Sequence, residues 1–478
     1  MPFFHDPRYS SNPVVSRPDA RYPYAPEPGE QVAISIAGDL QGPAPNCTIQ
    51  VDSQPAQTIR AEKDNECWTC TIGPFEEDVR VLYSISGIDR IFAFHTAKRL
   101  RVIDSEYTEI DHDRVRIQIT CEKDVVISRD IHIHGDAQGF RDHLKSTYGR
   151  VKQEEYVLYH KDWNPEYRLV TRAAHQCSCF LGLGERFNGV NQIGQRITMR
   201  VYEEYKTQHE TTRSYMPVPL VLTDDNWGLY VHTYQPVTFD LDVQRKGFWS
   251  MTLPCSSGDT IEQHFLSGTP AEMLTQYAGA SAYPVIPPAW TFGHWMSSNE
   301  WNSQKRVLHE IEQAQTHDIP FSVVVLEAWS DEENFYIWND AEYKPSSGTQ
   351  RLHLSDFSFP ADGLWPDPKR LVDRIHELGA KVLLWQIPVM KHVDQEHAQH
   401  SADRCAMEHH GYAVTTADGE PYRVRPWWFP RGLVPDLSQP EARAWWLAKR
   451  RYLLEELDID GFKTDGGEHL WGTDVRAY

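Results

Sequence analysis

Long apolar runs are absent: no window approaches the ~18 consecutive apolar residues that mark a membrane-crossing helix, so no spanning segment is expected. Residues 1–28 lack the apolar stretch of a secretory signal and carry Asp6, Arg8 and several prolines instead. Basic residues are in deficit. Lys and Arg number 47 against 68 Asp and Glu, a formal net charge of −21. They form no clustered face, which argues against nucleic acid or an anionic membrane as partner and for a neutral ligand. Cysteine is scarce, eight in 478 residues, and without a secretory signal these read as reduced thiols of a cytoplasmic protein. Cys67-Trp-Thr-Cys70 has the C-x-x-C spacing, but it sits in an alternating strand pattern and no second pair completes a zinc site. No His, Asp and Glu cluster has ligand spacing. His132 and His134 alternate with isoleucines and read as the surface face of a strand, so neither a metal nor an organic cofactor is expected.

What is present in quantity is tryptophan, 16 residues, whose flat rings fill cores and also cover sugar faces. The length suits two to four domains. A proline-rich, extended leader is expected over 1–28, followed by a small Ig-like β-sandwich over 29–99, where short alternating runs are broken by Gly, Pro, Asn and Asp. Longer alternating runs over 100–286 read as a second, larger β-sandwich. After Pro287-Pro288 strands alternate with helices, the mark of a parallel sheet. Strands are expected near 290–296, 321–329, 381–387 and 459–464. Helices are expected over 303–314, from Asp367 and Pro368 to a stop at Gly379, and after a capping box from Ser438 to Glu441. The stretches 330–365 and 391–438 are far longer than the ~2–6 residues usual between strand and helix. They follow strand C-termini, the active face of such an architecture, and Trp338, Trp365, Trp427 and Trp428 on them fit pocket walls.

The run Ile459-Asp-Gly-Phe-Lys-Thr-Asp-Gly-Gly-Glu468 carries the sharpest signal. A brief apolar strand stops at Gly466-Gly467 and leaves Asp465 at its C-terminal tip, where a carboxylate reads as catalytic. Lys463, two residues back, points to the same side, where it could keep Asp465 ionised and bind a sugar hydroxyl.

Taken in order, several stretches resemble glycoside hydrolase family 31, the family of α-glucosidases, α-xylosidases and related retaining α-glycosidases. They are Gly182-Leu-Gly-Glu-Arg-Phe187, Tyr215-Met-Pro-Val-Pro219, Phe265-Leu-Ser-Gly268, Pro287-Pro-Ala-Trp-Thr-Phe-Gly293, Pro366-Asp-Pro-Lys369, Leu384-Trp385 and Asp460 through Glu468. The resemblance implies a galactose-mutarotase-like sandwich over 100–286 and the first part of a (β/α)8 TIM barrel over 287–478, with about four βα units. It gives Asp465 the role of nucleophile in a retaining mechanism that cleaves α-linked sugars. It places Trp385 and Trp428 on the wall of the subsite for the cleaved sugar, and the substrate pocket is expected to include Glu327, Lys463, Glu300 and Trp329 as well. Glu468 and Asp436 are expected to support that pocket from behind. Glu327 departs from the Asp that many members carry near the tip of strand two, so the sugar is left open among glucose, xylose and others. The family's acid/base Asp lies on a later strand and is not in this chain, which reads as a truncated part of a longer enzyme, inactive alone. The same scaffold would also suit an α-transglycosylase or a carbohydrate-binding fragment without turnover. The partner expected is an α-linked oligosaccharide or glycoside, and the family often assembles into homo-oligomers.

Overall fold

Period-two alternation builds the first of two units, Met1–Pro284, and a change to alternating strand and helix builds the second, Val285–Tyr478. The computed structural model describes all residues except 1–2, 6, 8–20, 24–25, 64–66, 136–137, 140–154, 162, 164, 202–213, 395–396, 426–427, 468 and 471–474.

The small sandwich pairs two four-stranded sheets. One holds Arg21–Tyr22, Val32–Ile36, Trp68–Ile72 and Glu62–Lys63; the other holds Gln57–Arg60, Asn46–Val51, Arg80–Ile85 and Ile91–His95. Val32, Ile34, Ile36, Cys70, Val81 and Tyr83 close its core. Part of the leader belongs to this body, because Arg21 and Tyr22 pair with Ile34 and Ala33, and Phe4 bridges Ala37. The expected start of order at residue 29 is therefore too late. Arg21 is buried with its guanidinium over the Phe94 ring, a cation seated on an aromatic face.

The larger sandwich stacks a seven-stranded sheet, from Val102–Glu109 to Phe180–Gly182, on a six-stranded sheet, from Gln195–Met199 to Lys98–Leu100. Inward residues such as Ile117, Ile119, Ile131, Val157, Phe239 and Met251 form one apolar layer between them. Within the seven-stranded sheet, Val125–Ile133 and Thr260–Ser267 run parallel, with His132 opposite His264.

In the second unit the strands Trp295–Ser298, Val323–Leu326, Lys381–Gln386 and Gly461–Thr464 form a parallel sheet in sequence order. The two middle strands are buried on both faces, as expected for strands covered by helices. Val324, Leu326, Val382 and Leu384 face the helices with Val307, Ile311, Leu371 and Ile375, while Val323, Val325 and Leu383 form a separate cluster with Trp290. The first strand begins later than expected: Pro288 opens a short 3-10 turn over Ala289–Phe292. The helix Pro368–Glu377 starts on an Asp367 cap, and Gly379 ends it at φ +78°. The capping box at Ser438 does not form. Ser438 hydrogen-bonds the Asp436 carboxylate, and the helix Pro440–Glu455 starts at Gln439 with no side-chain cap. The stretch 391–438 is not bare loop either, since it holds the helix Ala398–His409. No helix among the described residues is long and apolar enough to cross a membrane.

Candidate active site

Register decides which side chains meet. In the parallel sheet Ser297 lies opposite Val325, Val325 opposite Leu383, and Trp385 opposite Lys463. Side chains alternate along a strand, so Ser297, Glu327, Trp385, Lys463 and Asp465 emerge on one face at the C-terminal ends. Five residues spread over 297–465 are thereby gathered into two hydrogen-bonded groups.

The first group is centred on Glu327, which is buried at 7% exposure. Its Oε1 accepts from Lys463 Nζ at 2.7 Å and from Ser297 Oγ. The second is centred on Asp465. Trp385 Nε1 donates to its Oδ2 at 2.9 Å, and the Gly466 N–H donates to its Oδ1 at 2.9 Å. One donor on each oxygen fixes the plane of the carboxylate. Lys463 lies on the same face as Asp465, but its ammonium is paired with Glu327 rather than with Asp465, which has no ion pair among the described residues.

The local chain explains why Asp465 stands where it does. Its own N–H continues the sheet ladder to Gln386 O at 2.8 Å. Gly466 then turns at φ +68°, and a Cβ there would come within 2.7 Å of His469 Cε1. Only glycine allows that approach. His469 is buried at 1% exposure beside Asp465, and burial pulls its imidazole down to about 4. Its Nδ1 accepts from the Gly467 N–H at 3.4 Å, and its ring lies 5.8 Å from that of Trp428. Sequence reasoning passed over this histidine, although it directly follows the motif.

Trp385 and Trp428 come together, with ring centroids 5.9 Å apart and Trp428 37% exposed. Trp329 does not line the site. It is fully buried, donates Nε1–H to Trp385 O at 2.8 Å, and packs edge-on to Trp338, which packs on Trp365. All three are core, because the stretch 330–365 folds back over the helix-facing side of the sheet. Glu300 is exposed in the turn after the first strand, its N–H on Ser298 Oγ, outside both groups. Asp436 is buried and accepts the N–H groups of Ser438 and Tyr478, which ties down its own loop; among the described residues no hydrogen bond or ion pair joins it to Asp465. Glu468 and Trp427 lie outside the described residues.

Buried charges support the strand tips from below. Arg450 Nε donates to Gln386 Oε1 at 2.7 Å and an Nη to Asn334 O at 3.0 Å, with burial lowering its guanidinium to about 9. Lys449 Nζ donates to Asp403 Oδ1 at 2.9 Å, and Gln399 and Tyr336 donate to the same carboxylate. Arg450 is four residues after Trp446 and three before Leu453, a spacing that places it on the inward helix face. That signal was there to be read.

Comparison with known proteins follows the same division. Residues 284–475 match the model described as "Glycosyl hydrolases family 31 TIM-barrel domain", and residues 51–240 match the one described as "Glycosyl hydrolase 31 N-terminal galactose mutarotase-like domain". The 1,3-alpha-isomaltosidase of Kribbella flavida is 41% identical over 301 residues, 62% of this chain and 41% of that protein. The isomaltosyltransferase of Sporosarcina globispora is 37% identical over 297 residues, 61% of this chain and 27% of that protein. The chain thus matches less than half the length of these curated relatives. Among solved structures, the cycloalternan-degrading enzyme from Trueperella pyogenes in complex with a covalent intermediate superposes at a TM-score of 0.70 with 29% identity, covering 99% of this chain and 65% of that one.

Proposed function

The chain belongs to glycosyl hydrolase family 31, and from that premise we propose that it supplies the nucleophile half of a retaining α-glycosidase acting on α-linked oligosaccharides that contain an isomaltosyl unit. The observation that carries the reading is the Asp465 carboxylate at a strand tip, held by Trp385 and Gly466 through one hydrogen bond to each oxygen. Such a carboxylate is aimed rather than free to rotate, which an attack on an anomeric carbon requires.

In this reading an Asp465 oxygen forms a bond to the anomeric carbon as the glycosidic bond breaks. The leaving oxygen takes its proton from a second carboxyl group, which a retaining mechanism sets about 5–5.5 Å away. Water, activated by that same group, then releases the sugar and restores Asp465. Glu327 and Lys463 offer an acceptor and a donor side by side on the same face, the pairing that two neighbouring sugar hydroxyls satisfy. The isomaltosyl preference is supported by the identities of 41% and 37% to the isomaltosidase and the isomaltosyltransferase.

The isomaltosyltransferase likeness favours one second reading, in which a sugar hydroxyl replaces water as acceptor. Product analysis at high acceptor concentration separates the two. The nucleophile is tested by treating the protein with a 5-fluoro α-glycosyl fluoride and mapping the labelled peptide. A label on Asp465 is expected; a label on another carboxylate would overturn the assignment.

A further inference from the structure

The outward face of the seven-stranded sheet holds a second constellation, independent of the glycosidase reading. Val125–Ile133 runs parallel to Thr260–Ser267, placing His132 opposite His264 and Asp130 opposite Glu262; Trp227–His232 flanks the other side, with His232 opposite Glu262. Ile131, Ile133 and Ile261 go into the sandwich core, so the residues alternating with them come out on the other face. Four imidazoles collect there around one carboxylate.

Glu262 Oε1 lies 3.2 Å from His264 Nε2 and 3.6 Å from His132 Nε2, and Oε2 lies 3.4 Å from His232 Nδ1. The ligand atoms of His132, Glu262 and His264 all fall within 4.8 Å of one another. Metal–ligand bonds of ~2.1 Å in a tetrahedron set ligand atoms about 3.4 Å apart, so both Glu262 distances already fit such an edge. His134 Nε2 is 3.1 Å from His264 Nδ1. When Nδ1–H of His264 donates to His134, the His264 Nε2 keeps its lone pair toward Glu262, the arrangement in which an outer partner fixes a ligand's tautomer. Asp130 does not compete for the rings, since Arg116 holds both its oxygens at 2.6 and 2.8 Å.

We propose that His132, Glu262 and His264 form a divalent transition-metal site of the zinc class, with His134 orienting His264 and water completing the coordination. Imidazole and carboxylate donors select zinc-like ions over calcium or magnesium, which favour all-oxygen shells. A bound ion would tie two strands far apart in sequence at the one place where they run parallel.

The full chain, stripped with a chelator, is titrated with zinc chloride by calorimetry near neutral pH. The expected result is one saturable equivalent per chain. His132→Gln and Glu262→Gln sit at part-exposed positions, leave the metal-free melt unchanged, and each weaken binding by about tenfold or more; His134→Phe weakens it by ~10–100-fold. Cobalt(II) at the same stoichiometry gives visible bands of tetrahedral intensity that disappear in Glu262→Gln. Absence of saturable zinc uptake would overturn the proposal. So would uptake unchanged in the His132→Gln, Glu262→Gln double variant, which would move the ion to the exposed turn Asp111, His112 and Asp113.

Discussion

The parallel sheet of the second unit and the seven-stranded sheet of the first place their polar groups by opposite rules. In the parallel sheet the two middle strands are buried on both faces, and the site's carboxylates stand just past strand ends, Glu327 after the second strand and Asp465 after the fourth. In the sandwich sheet one face meets the core and the other is partly open, so polar groups can stand along the strands, as the part-exposed His132, His232 and Glu262 do beside the buried His264. The difference follows from coverage. A strand buried on both sides has nowhere to put a charge except its tip, while a half-buried strand has every second position free. Tip residues are fixed by turns and by partners below them, whereas residues on an open face are fixed mainly by their cross-strand neighbours.

The comparison is sharpest at Asp465. Asp465→Asn in the full-length protein is expected to lower kcat by on the order of 10⁴-fold or more without unfolding it, as removal of a covalent nucleophile does. Steady-state hydrolysis of an activated α-glycoside, paired with a thermal melt, reads both. A loss below tenfold would break the claim that the tip carries the chemistry.

Beneath the tips, Lys449 and Asp403 are each 2% exposed and paired at 2.9 Å. Lys449→Met leaves the carboxylate buried without its cation and is expected to cost about 3–5 kcal/mol of stability. Denaturant unfolding measures it. Glu327→Asp shortens the reach to Lys463 and Ser297, and kcat/KM is expected to fall roughly tenfold to hundredfold with little change in the melt.

Titration gives a smaller effect of two signs. Asp331, half-buried on the loop after the second parallel strand, has its carboxyl raised to about 7 by desolvation. The folded state keeps a proton that the unfolded chain releases near pH 4, so the stability this group contributes is lost as pH rises from about 4 to 7. His469 and His264 are lowered to about 4 against an unfolded value near 6.5, so their contribution is present above pH 6.5 and lost as pH falls toward 4. Asp331→Asn is therefore expected to raise the melting temperature at pH 8 by a few degrees and to leave it unchanged at pH 4. Smallest of all, replacing His132 and Glu262 by Thr in metal-free protein should shift stability by no more than about 0.5 kcal/mol, since the outward row is not needed for the fold.

Much of the second unit was legible because its signals are local. Asp367, Pro368 and Gly379 bracket a helix, and Gly466-Gly467 ends a strand, within a few residues of the chain they govern. Apart from the capping box at Ser438, the errors were long-range. Trp329, Trp338 and Trp365 read as pocket aromatics from their loop, yet the loop's path makes them core. Lys463 read as keeping Asp465 ionised from its spacing on one strand, yet its ammonium pairs with Glu327, at the end of a strand that is not its neighbour in the sheet. Arg21 and Tyr22 read as leader until strand Val32–Ile36 offered them an edge.

The sequence by itself determined which segments of the second unit are strands, which of their faces are apolar, and that Asp465 stands at a tip, because backbone preference and side-chain period act over a few residues. Only the tertiary structure decided that Trp385 reaches Asp465 and that Glu262 and His264 come beside His132. Those contacts depend on strand order and register, which are set by packing whole faces together and carry no local mark in the chain.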